Sequence, residues 1–250
     1  MDENEKIIAT SVDAFEPNLW SFIGQYKSKY ALISLVDQLT NDRLAGRKVE
    51  FPVVLITGAT GIGKRTLAKS LHNAVGNLEF REAGMILGST EDHVEFFKTS
   101  TDFTTFYIKN FTLVSAVVVG ALICVFRDKY FYQQAMPGTE KKIISVGNKL
   151  IILSADGLTM INPDVLKYIK IRCVLSSYSL EHIYEILKQR IMFLNWKASE
   201  TTLRLIAQNA KNNPGNAMRL LQNTYVIARS EDRNKINITH AKKALVLSSK

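Results

Sequence analysis

The sequence is poor in the residues that staple small folds or hold metals. Its 250 residues include two cysteines, Cys124 and Cys173, each inside an apolar run. Thiols so placed read as small buried hydrophobes, which excludes a disulfide framework or thiolate metal site and fits a reducing, cytoplasmic setting. Four histidines, His72, His93, His182 and His240, are scattered without ligand spacing, so no metal site is expected from them. There is no internal repeat, low-complexity tract or disordered linker. A membrane span needs roughly 20 apolar residues, and the charge-free run FTLVSAVVVGALICVF, Phe111 to Phe126, has sixteen. It reads as a buried or partner-facing helix, and membrane insertion is not expected. The opening MDENEKIIATSVDAFEP is polar and acidic, unlike a signal peptide.

What the chain does have is an ordinary globular balance, 46% hydrophobic and 22% charged, with a formal charge of +9. That charge suits a nucleic-acid or acidic-protein partner. Because Lys and Arg are scattered, it equally suits a basic surface with no special target.

Residues 26–45 place Tyr30, Ile33, Leu35, Val36 and Leu39 near helical spacing and stop at Gly46. FPVVLIT, 51–57, is a continuous apolar run rich in β-branched residues, as expected of a strand buried on both faces. GATGIGKRTLAKSL follows, from Gly58 to Leu71. It matches the phosphate-loop pattern G-x-x-x-x-G-K-[ST] at Gly58, Gly63 and Lys64, then fails at Arg65, with Thr66 one residue late. The backbone of Gly58, Ala59, Thr60, Gly61, Ile62, Gly63 and Lys64 would cradle phosphate at a helix N-terminus, with Lys64 as a point charge. Further strands are expected at 77–83, 103–109, 148–156 and 171–178, a helix at 89–100, and a hairpin turning at Pro137-Gly138. Five strands alternating with helices argue for an α/β core, 15–178, with a mainly parallel sheet behind a short tail, 1–14. From 179 to 250 the pattern is wholly helical, with Ser179 and Ser199 as caps and a helix after Pro214-Gly215.

In this order the segments resemble the AAA+ ATPases, and within them the RuvB branch-migration motors. FEPNLWSFIGQYKSKYAL, 15–32, is similar to that family's lead-in segment, which implies that Ile23 and its neighbours pack on adenine. LITGATGIGKRTLA falls in the phosphate loop, DFTTFYIKN at Walker B, the Pro137-Gly138 hairpin before sensor 1, and TTLRLIAQNAKNNPGNAMRLLQNTYVIA in the helical lid that carries sensor 2. The resemblance covers about 15–246, and the chain stops where the family's winged-helix DNA-binding domain would begin.

The departures fall on the chemistry. The family's Walker B acids, which order magnesium and polarise water, correspond to Lys109 and Asn110. Its magnesium-binding hydroxyl corresponds to Arg65, sensor 1 falls near Asp156, and the sensor 2 arginine falls on Gly215, with Arg219 a turn later as a candidate substitute. Lys167, Lys170 and Arg172 lie near the arginine-finger position without matching it. A finger alone contributes about 10³–10⁵ in rate, so the resemblance implies a degenerate ATPase that acts by assembly, through the 111–126 helix, in DNA replication or recombination. An active branch-migration ATPase is the alternative. Two readings stay open for the loop. It holds ATP or ADP, with Arg65 or Lys109 in place of magnesium, or it is an empty connector. A short-chain dehydrogenase, with Tyr184 and Lys188 as its pair, fails on glycine spacing.

Overall fold

The computed structural model describes residues 15, 17–83, 96–97, 103–133, 142–159, 161–233 and 235–248. The expected helix at 89–100 and the Pro137-Gly138 turn therefore lie outside the described residues, Phe96 and Phe97 apart. Five strands form one sheet in the order β2-β3-β6-β1-β7: β1 (Val53–Thr57), β2 (Glu79–Ala83), β3 (Thr104–Ile108), β6 (Leu150–Ala155) and β7 (Ile169–Val174). Every pairing is parallel. Between β3 and β6, strands β4 (Tyr130–Gln133) and β5 (Lys142–Ser145) pair antiparallel as the expected hairpin.

Position in the sheet explains each strand's composition. β1, β3 and β6 have neighbours on both sides and layers on both faces, and all their residues are buried. They are correspondingly continuous apolar or Thr-rich runs. β7 is an edge strand and alternates, with Ile169 and Cys173 buried and Lys170, Arg172 and Val174 exposed. It starts two residues before the expected 171 and ends at Val174, where its partner β1 also ends, with a last bond from the Leu175 amide to the Thr57 carbonyl (2.7 Å). Burial pushes the Cys173 thiol up to about 12, so it stays protonated inside the core.

Two apolar layers flank the sheet. Val54 and Ile56 of β1 face one, with α1 (Tyr26–Leu44) and α2 (Lys64–Val75); Val53 and Leu55 face the other, with α3 (Ala116–Asp128) and the short α4 (Pro163–Leu166). The first layer continues without a break into the C-terminal helices α5 (Leu180–Phe193), α6 (Glu200–Asn209), α7 (Pro214–Ser230) and α8 (Ile238–Ser248), through Ile183, Leu203 and Leu221. Ser179, Ser199 and Asn213 cap α5, α6 and α7. A two-residue pair, β8 (Lys197–Ala198) with β9 (Lys235–Ile236), was not expected from sequence; strands so short leave no periodicity to read.

Three helical expectations need correction. The buried stripe of α1 runs through Ser28, Leu32, Leu35, Val36 and Leu39, leaving Tyr30 64% exposed. The run 111–126 is not one helix: Phe111–Leu113 is a 3₁₀ turn, and α3 starts after the Ser115 cap. Nor is its apolar surface unpartnered all round. Val118, Val119, Leu122, Val125 and Phe126 are buried, and the outward face is Ala116, Val117 and Gly120. Finally, α7 does not begin after Pro214-Gly215; Pro214 is its first residue, where a missing N–H costs nothing. Among the described residues no helix is long and apolar enough to cross a membrane, and no cluster of His, Cys, Asp or Glu could hold a metal ion.

Candidate nucleotide site

Parallel strands deliver their C-terminal ends to the same rim, and the order β3-β6-β1 puts three of those ends side by side. Gly58 to Gly63 follows β1, Lys109 and Asn110 follow β3, and Asp156 follows β6. Residues far apart in sequence thus converge where α/β sheets place their ligands.

The loop is built on backbone conformations that L side chains rarely adopt: Gly58, Gly61 and Gly63 have φ of 147°, 80° and 102°. Gly63 then caps α2, whose first residue is Lys64. The amides of Gly58 and Ile62 are already engaged, by the carbonyls of Ala155 (3.2 Å) and Ala59 (3.2 Å), and the Ile62 side chain is buried. Any phosphate cradle is therefore narrower than the whole 58–64 run. Lys64 folds back on its loop: Nζ donates to the Gly58 and Ala59 carbonyls and pairs with Asp156 Oδ1 at 2.7 Å. Asp156, near which the resemblance puts sensor 1, is the anion that holds Lys64.

Beside α2 lies a charged compartment of about 270 Å³, lined by Thr60, Arg65, Thr66, Glu82, Lys109 and Asn110 among others. Glu82, near the end of β2, was not foreseen. One of its carboxylate oxygens takes Arg65 Nε at 2.6 Å and the other takes Lys109 Nζ at 3.5 Å. A charged residue in the second strand was visible in FREA, but only the sheet order brings it beside the loop. Asn110 sits at the strand exit with φ 51°. The Tyr107 hydroxyl donates to Ser154 Oγ at 3.0 Å, and burial above all raises its pKa to about 12.

Magnesium does not fit this donor set. The ion demands octahedral oxygen ligands, usually one or two from carboxylates. Here the two positions that would supply them carry Arg65 and Lys109, and the nearby carboxylate of Glu82 is occupied by both cations.

On the other side of the loop is a compartment of about 360 Å³ with a mixed lining, its polar part including Gln189, Arg190 and Gln222. Phe22, Ile23, Tyr178, Ile186 and Met218 give it hydrophobic walls, while Gly61, Gly63 and Thr66 line both compartments and join them. The lead-in segment is fixed by polar ties. Lys29 Nζ donates to the carbonyls of Trp20 and Phe22, each at 3.0 Å, and the Gln25 amide pairs with the Ser176 backbone through bonds of 2.6 and 3.0 Å. Burial lifts the Tyr178 phenol to about 12. Arg219 lines this compartment and is exposed; no ion pair to it occurs among the described residues.

The start of α7 is latched to the loop. Asn213 Nδ2 donates to the Thr60 carbonyl (2.8 Å), and the Gly215 amide donates to the Gly61 carbonyl (2.9 Å). A Cβ on Gly215 would stand 2.9 Å from Gly61 Cα, so glycine here permits backbone to meet backbone. The resemblance puts an arginine at this position; no side chain fits.

Lys167, Lys170 and Arg172 line neither compartment, and Lys167 pairs with Asp164 at 2.6 Å. Tyr184 is buried beneath Arg204, 4.3 Å from its ring, and Lys188 bonds Glu185. That pair belongs to helix packing.

No protein-family model matches the chain, and no curated protein matches it. Solved structures do. A point mutant of Thermotoga maritima RuvB superposes with a TM-score of 0.78 at 16% identity over 93% of this chain and 73% of that one. The T. maritima RuvB Holliday junction branch migration motor gives 0.74 at 18% identity, over 92% and 71%. The Aeropyrum pernix ORC2 protein in its ADP form gives 0.61 at 16% identity, over 87% and 67%. The chain has the AAA+ fold seen in the RuvB structures.

Proposed function

We propose that this protein is a nucleotide-binding AAA+ module that hydrolyses nucleotide poorly or not at all and works by assembly with itself or other proteins, in DNA replication or recombination. The observation that carries the reading is the Arg65–Glu82–Lys109 cluster, which puts two cations at the positions where the family's magnesium ligands would stand. Phosphoryl transfer depends on positioning and on stabilising charge around a metal, and Asn110 beside Lys109 cannot serve as a general base. Nucleotide binding is a separate matter. The compartment walled by Phe22, Ile23 and Tyr178 suits a base, the amides at the start of α2 suit phosphate, and Arg219 stands at the side where sensor 2 would act.

In this reading the core is 15–178 and residues 179–250 are its lid. Assembly uses the outer face of the 111–126 segment, where Leu113 is 57% and Val117 70% exposed. The likeness to RuvB and to ORC2 supports a DNA-linked process, and the charge of +9 supports salt-dependent contact with nucleic acid. The experiment is to give the purified chain ATP and magnesium and measure both binding and phosphate release. Binding without release is the expected result. Turnover of about 1 s⁻¹, the low end for working enzymes, would establish the active-ATPase alternative instead.

A further inference from the structure

We propose that Arg65 and Lys109 take the place of the magnesium ion, so that the cleft prefers metal-free nucleotide phosphates, and that Glu82 holds the two cations until phosphate displaces it. The inference rests on the nucleotide reading above and names its ligand, an uncomplexed nucleoside di- or triphosphate.

Three features carry it. First, Arg65 comes from α2 and Lys109 from the end of β3, yet both converge on one carboxylate, one cation per oxygen, at 2.6 and 3.5 Å. A carboxylate so shared presents its two oxygens much as a phosphate does. Second, the cations keep their freedom: each is 49% exposed, while Glu82 is 22% exposed at the compartment wall. They can leave Glu82 for a ligand without unfolding anything. Third, the local charge is unbalanced. Among the described residues, Lys64, Arg65 and Lys109 pair only with Glu82 and Asp156. One positive charge is left over, which an incoming phosphate neutralises and a magnesium ion would aggravate.

The chemistry differs from that of a metal-dependent loop in a way that can be measured. A magnesium ion on the nucleotide cancels the ligand charge that Arg65 and Lys109 would meet, so it should weaken binding here. The test is calorimetric titration of the full chain with ADP and ATP, in EDTA and in millimolar magnesium. The expected result is tighter binding in EDTA, by about tenfold. Glu82→Gln, which removes the competing carboxylate, should tighten metal-free binding by about two- to fivefold. Arg65→Thr combined with Lys109→Asp should reverse the preference, so that magnesium strengthens binding. A wild-type chain that binds only with magnesium overturns this inference and leaves the nucleotide reading standing. Failure to bind under either condition overturns both. Should a variant not fold, as judged by circular dichroism, the wild-type comparison in EDTA and magnesium still decides.

Discussion

The two compartments of the cleft share the loop and the first turn of α2, but their linings differ in kind. In one, Phe22, Ile23 and Tyr178 wall a cavity that closes against α5 and α7. The other gathers charge, with Arg65 and Lys109 around Glu82. Hydrophobic packing tolerates exchange as long as volume and pattern survive. Metal-dependent chemistry does not, since one cation in place of an anion changes the sign of the local field.

The largest blow to both compartments together should come from their common wall. Leu67 in α2 is fully buried, and Leu67→Ala should destabilise the protein by about 2–5 kcal/mol, read from chemical denaturation. A loss confined to the charged side, with normal global stability, would show that α2 is not the shared support. Gly215→Ala acts more narrowly. Its Cβ meets Gly61 backbone at 2.9 Å, so α7 must shift away from the loop. A cost of about 1–3 kcal/mol is expected, although alanine is the better helix former. Weakened nucleotide binding in this variant, with the Arg65–Glu82 pair intact, would separate the two halves experimentally.

The finest comparison uses one tyrosine from each side. Tyr107 and Tyr178 both titrate at about 12, above the ordinary value of 10, chiefly because each is buried. The folded chain therefore holds these protons more tightly than the unfolded chain. Their contribution to stability is complete below about pH 10 and is lost as pH rises toward 12. Phenolate absorbance in Tyr107→Phe and Tyr178→Phe, set against wild type, assigns the two steps. If Tyr107 ionises near 10 while Tyr178 does not, the nearby Arg65 governs the charged side more than burial does.

Much of this was legible from local pattern. The continuous apolar runs announced β1 and β6, whose residues are buried on both faces. The glycine spacing announced a loop between β1 and α2, and Ser179 and Ser199 announced helix starts. The 111–126 run reads as one helix because apolarity carries no boundary signal inside it, yet the chain breaks it at Ser115. Ser115 was the signal available, a capping residue in front of Ala116. Glu82 and Asn213 went unnoticed because each is an ordinary polar residue at its own position. Their significance comes from partners 17 and 153 residues away in the chain.

The residue types along the chain determined by themselves that five strands alternate with helices and that a phosphate-type loop departs from its pattern at Arg65, since periodicity and spacing are local properties. Only the tertiary structure decided what Arg65 meets. The strand order lays β2 beside β3 and brings both to the loop's rim, so a carboxylate and a lysine from separate segments reach the same few ångströms. Charge acts through space, and no reading along the chain measures that distance.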